Sequence, residues 1–131
     1  MRIDLSKTPV KTGSIYPAPY AEMMAGRSSQ RLGDAGGLTQ FGVNLVTLQA
    51  GALSSLRHWH LAEDEFVMVT AGEVTMIIDA GPEVMRAGDC AAFQQAPPMA
   101  TISSTTQTRP RSFWLWAAKP RAKWPPIPTW I

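Results

Sequence analysis

The sequence predicts an all-β fold, a sandwich or barrel of short strands. Three observations carry this. Apolar residues between Thr39 and Phe93 recur in short runs that alternate with polar ones, the period of a half-buried strand. Turn-forming residues interrupt these runs about every 8–12 residues, too often for helices that cross over between parallel strands. The 11 prolines and 10 glycines among 131 residues disfavour long helices.

In chain order, residues 1–37 read as an extended N-terminal arm. Pro9, Pro17 and Pro19 forbid a regular helix across it, Tyr16 and Tyr20 are placed to pack on a neighbouring surface, and a short helix fits Ala21 to Ala25. Gly33, Gly36 and Gly37 mark turns. Residues 38–93 form the barrel core. Phe41 to Leu48 is rich in β-branched residues and ends at Ala50-Gly51. Leu53 to His60, Glu65 to Thr70, Glu73 to Asp79, Glu83 to Arg86 and Cys90 to Phe93 are the following strands, with turns at Ala71-Gly72, Ala80-Gly81-Pro82 and Gly88-Asp89. Residues 94–131 lose the pattern, and only Ser112 to Ala118 reads as a strand there.

Composition bounds the function. The length suits one domain with a single core. The lone Cys90 excludes an intramolecular disulfide and points to a reducing cytoplasm. No signal peptide opens the chain, and no run approaches the roughly 20 apolar residues of a membrane span. Charge is uneven. All 10 acidic residues lie in residues 1–93, where 7 Lys/Arg leave −3, whereas residues 94–131 hold 5 Lys/Arg and no acid. That tail also holds 7 of the 11 prolines and 4 of the 5 tryptophans. Basic, aromatic segments suit nucleic acid or anionic membranes, but the expectation here is neither partner.

The chemistry concentrates between His58 and Gly72, which includes both histidines of the chain. On a strand, His58 and His60 project to one face and Arg57 and Trp59 to the other. Two imidazoles and the carboxylate of Glu65 form a set that holds one divalent metal and leaves coordination positions free. The expected metal ligands are therefore His58, His60 and Glu65. Glu63 and Asp64 are expected in a solvated turn, Arg57 as an outer-face counter-charge, and Trp59, Phe66 and Met68 as packing residues. No catalytic general base is identifiable.

The spacing His58-x-His60-x4-Glu65-x6-Gly72 resembles the first motif of the cupin superfamily, G-x5-H-x-H-x3-4-E-x6-G, with Gly51 one residue early. The resemblance covers residues 38–93 and is to small single-domain bacterial cupins of the type-2, RmlC-like kind. It implies a cupin-like jelly-roll β-barrel, here incomplete at the C-terminal end, with the ligands facing its interior and a homodimeric assembly. The implied function is a mononuclear metal site, carrying Fe(II), Mn, Ni, Cu or Zn, that binds or transforms a small polar metabolite. The alternatives are a non-catalytic ligand-sensing module or a degraded copy.

The family's second motif, G-x5-P-x-G-x2-H-x3-N, is met only in its first half, by Gly81 to Gly88 with Arg86 where proline is common. Its histidine, a fourth ligand in the family, is absent. Codon arithmetic offers a reason. Read from the third base of each codon, Gln94 to Thr105 permits Ala-Gly-x-x-Asp-Gly-His-His-Leu-Ile-Asn, and the Met99/Ala100 junction must encode glycine. The expectation is that residues from about Gln94 onward are an out-of-frame ending. The rival is a divergent tail whose Trp114, Trp116, Trp124 and Trp130 serve packing or a partner.

Overall fold

The computed structural model describes residues 1–58, 60–95, 105–107 and 111–118. Its described strands are β1 (Val10–Thr12), β2 (Arg27–Arg31), β3 (Phe41–Leu48), β4 (Glu65–Val69), β5 (Glu73–Ile78), β6 (Gly81–Arg86), β7 (Cys90–Phe93), β8 (Thr105–Gln107) and β9 (Arg111–Ala118). Two single-turn helices, α1 (Tyr20–Met23) and α2 (Leu32–Ala35), flank β2. Among the described residues no helix is long and apolar enough to cross a membrane.

All ladders are antiparallel. Six strands form one sheet in the order β1-β2-β3-β9-β4-β7, and β6-β5-β8 form a second. The two sheets face each other across one apolar core. The larger sheet sends in Val46 and Leu48 from β3 and Val67 and Val69 from β4, and the smaller sends in Val74 and Met76 from β5 and Met85 from β6. In β3, β4 and β5 the buried residues are two apart, which is the strand period made visible. This is the jelly-roll architecture, and among the described residues the two sheets share no ladder, so the barrel is open.

The turns follow from local chemistry. Gly72, at φ 80°, reverses the chain between β4 and β5 in a conformation that a side chain disfavours. In the turn before β7, Asp89 accepts a hydrogen bond from the Arg86 amide at 2.7 Å, while Gly88 N–H reaches back to the Val69 carbonyl at 2.8 Å. Gly26, at φ 80°, closes the approach to β2, where a Cβ would lie 3.1 Å from the Cβ atoms of Ala52 and Gln49. Across β5 and β6, Glu73 stands opposite Arg86 and pairs with it at 3.1 Å.

Strands from Phe41 to Phe93 and from residue 111 onward lie within a residue or two of their expected bounds, with one exception. Among the described residues of the segment Leu53 to His60 there is no strand, and only Leu53 and His58 make isolated bridges. Two of its carbonyls are taken by side chains. Arg27 Nε donates to the Ser54 carbonyl at 2.6 Å, and His58 Nδ1 is 2.8 Å from the Leu56 carbonyl. Side-chain bonds of this kind compete with a ladder, and here they convert the segment into a bent loop. The N-terminal residues do more than extend: β2 pairs along five residues of β3, and β1 adds to its far side. The expectations for the side chains of Trp59, Trp114, Trp116, Trp124 and Trp130 fall outside what is described.

Leu48 is fully buried between the sheets. Leu48→Ala is therefore expected to cost about 2–5 kcal/mol of unfolding free energy, read from the denaturant midpoint at unchanged slope.

Candidate metal centre

Glu65 opens β4 and shares its inward face with Val67 and Val69, so the same alternation that builds the core buries the carboxylate. His58 and His60 lie on the bent loop before it. Their rings meet edge to face, with centroids 4.9 Å apart and planes at 78°. The two Nε2 atoms stand 3.1 Å apart, and His60 Nε2 lies 3.5 Å from Glu65 Oε2. All three expected ligands come together, one donor atom each within 4.8 Å of the others. The strand alternation that predicted a shared face is not the cause, since the loop brings the rings together by bending.

The tautomers follow from the outer hydrogen bonds. His58 Nδ1 donates to the Leu56 carbonyl, and His60 Nδ1 donates to Glu63 Oε1 at 2.8 Å. In neutral rings this leaves both Nε2 lone pairs aimed at one point. Two such lone pairs at 3.1 Å repel unless a proton or a cation lies between them. Glu65 Oε2 is buried and has no hydrogen-bond partner among the described residues. Its neighbour His60 Nε2, at 3.5 Å, is beyond ordinary hydrogen-bond range, and a buried carboxylate so weakly compensated costs several kcal/mol. Donors about 2.1 Å from one ion sit roughly 3.0–3.4 Å apart, close to the spacings observed. These residues fit a divalent transition metal.

The comparisons with known proteins bear on the family. The family described as "Cupin domain" matches residues 44–105. A sugar phosphate isomerase of the cupin superfamily from Silicibacter pomeroyi is 44% identical, covering 92% of this chain and 76% of its own, at a TM-score of 0.85. The chain belongs to the cupin superfamily. It is also similar to a protein of Acidithiobacillus ferrooxidans provisionally assigned as a sugar phosphate isomerase, at 25% identity, 87% and 69% coverage and a TM-score of 0.69. An RmlC-like cupin from Shewanella frigidimarina shares the fold at 16% identity, 90% and 89% coverage and a TM-score of 0.63. Among curated proteins, none matches.

Two residues near this cluster, Glu63 and Met68, depart from expectation in opposite ways. Glu63, expected in a solvated turn, is buried and bound to His60. The chain reverses after His60, so a residue three positions on folds back over the ring, which strand or helix periodicity does not reveal. The available signal was chemical, because a half-buried ligating histidine needs a partner for its second nitrogen. Asp64 is exposed as expected, and its Oδ1 accepts from the Gln95 amide at 2.8 Å, tying the start of β4 to the chain beyond β7. Arg57 is exposed and pairs with Asp79 on the outer surface, and Phe66 is half-buried. Met68, expected as a packing residue, is 38% exposed.

The carboxylates also set the protonation of His60. Glu65 first, and then Glu63, hold its pKa above the ordinary histidine value, against the opposing effect of burial. In the metal-free protein this interaction contributes stability that is complete below the unfolded-state pKa and is lost as pH rises through the raised folded value. NMR titration of the metal-free protein is expected to show His60 titrating above an unstructured histidine, with Glu65→Gln moving it down. Because metal and proton compete for Nε2, metal affinity should climb through the same pH range and then level off.

Proposed function

We propose that this cupin binds a divalent transition metal through His58 Nε2, His60 Nε2 and Glu65 Oε2 and presents it to a sugar phosphate or a similar small hydroxylated metabolite. The observation that supports the metal is the pair of convergent imidazole lone pairs beside a buried, unbonded carboxylate oxygen. The substrate class rests on the 44% identical relative named as a sugar phosphate isomerase. When bound, such an ion supplies Lewis acidity toward a carbonyl or hydroxyl oxygen. The chain's own residues supply two imidazole nitrogens and one carboxylate oxygen, a set that leaves coordination positions of such an ion free for ligand.

Purified protein is expected to bind one Fe(II), Mn, Ni, Cu or Zn ion per chain by calorimetry, and His58→Ala or Glu65→Ala to abolish or severely weaken that binding. No bound ion in the wild type would contradict the reading. With metal present, sugar phosphates at about 100 times their Kd should stabilise the fold by about 2.7 kcal/mol. Isomer interconversion separates an enzyme from a ligand-sensing module, in which stabilisation occurs without turnover. A homodimer joined through exposed strand edges, in a reducing cytoplasm that keeps the exposed Cys90 as a thiol, completes the proposal.

A second reading is favoured by the change of composition at residue 94 and by the chain having only two histidines. Under it, residues from about Gln94 onward are out of frame, and the protein is a degraded copy with three ligands where the family uses four. Sequencing codons 90–131 tests this. The expected result is an open alternate frame that encodes Gly-His-His at residues 99–102; a stop codon there, or a different string, removes it.

A further inference from the structure

We infer that Glu63 is a positioning residue of the metal site, acting through His60 rather than on the metal itself. The inference rests on the metal reading above and adds to it a residue outside the ligand set. Glu63 is as buried as Glu65, at 7% and 6% exposure, yet the two carboxylates approach opposite edges of the same ring. Glu65 Oε2 lies on the Nε2 side, with the other donor atoms. Glu63 Oε1 lies 2.8 Å from Nδ1, where it cannot share the point on which the donors converge.

That placement has three physical consequences. The Nδ1 proton is held on Glu63, so the neutral ring keeps its lone pair on Nε2. The hydrogen bond fixes the ring's rotation, so the lone pair stays aimed at its counterpart on His58. The negative charge behind the ring raises its basicity as a ligand. His58 is held differently, by the neutral carbonyl of Leu56 on its own loop. The two histidines are therefore unequal ligands.

The test combines affinity and tautomer. Calorimetry with Zn(II) or Co(II) on the full chain is expected to show Glu63→Ala binding about 10–100-fold more weakly than the wild type, the range for loss of an outer partner of a ligating histidine. Glu63→Gln keeps an acceptor oxygen and removes the charge, so its loss should be smaller. Nitrogen NMR of the metal-free wild type at pH 9 should show His60 protonated on Nδ1. Glu63→Ala should shift the neutral ring toward the Nε2-protonated form, with Glu63→Gln restoring the wild-type tautomer. Wild-type affinity in Glu63→Ala, or a wild-type His60 protonated on Nε2, overturns the inference. A wild type that binds no metal contradicts the metal reading instead, and the tautomer measurement still decides the role of Glu63, even if Glu63→Ala does not fold.

Discussion

Two imidazole nitrogens held 3.1 Å apart, each with its proton committed elsewhere, are the constraint around which this end of the barrel is arranged. Lone pairs in that position demand a positive charge between them. A proton satisfies the demand, and the pull of Glu65 and Glu63 on His60 describes that state. A divalent ion satisfies it better, because it also neutralises the buried Glu65 oxygen, which has no hydrogen-bond partner among the described residues and lies 3.5 Å from His60 Nε2. The cost of burying that oxygen is of the order of several kcal/mol, more than one neutral hydrogen bond returns.

The fold delivers these groups by two different devices. Glu65 is placed by strand periodicity, in line with Val67 and Val69, so its position is as rigid as the core. The histidines are placed by a loop whose carbonyls are taken by Arg27 from β2 and by His58 itself. Arg27 thus links the strand nearest the N-terminal arm to the loop that carries the ligands. A metal ion would join the loop to β4 as a third fastening, which couples metal binding to the stability of this region.

Much of this was legible in the sequence, and the misses have physical causes. Phe41–Leu48, Glu65–Val69 and Cys90–Phe93 were readable because a half-buried strand writes its two faces into alternate residues. That His58, His60 and Glu65 come together was readable from spacing and type together. The loop at Leu53–His60 was not, because its alternation suits a strand and only the three-dimensional positions of Arg27 and Leu56 reveal who takes its carbonyls. Glu63 was missed because charged turn residues are usually solvated, and a contact made by chain reversal leaves no period. The tail poses a different problem. Its composition breaks from the rest of the chain, yet β9 pairs with eight residues of β3 and five of β4. Ladder hydrogen bonds join backbones, so a strand can fill that place whatever its side chains encode.

X-ray absorption spectroscopy of the metal-loaded protein tests the central claim most directly. The expected result is one ion with two imidazole nitrogens and one carboxylate oxygen at about 2.0–2.2 Å, and solvent or ligand oxygens in the remaining positions. Loss of one imidazole shell in His58→Ala would complete it. A metal shell without imidazole nitrogen, or one unchanged by removal of His58, would contradict the account.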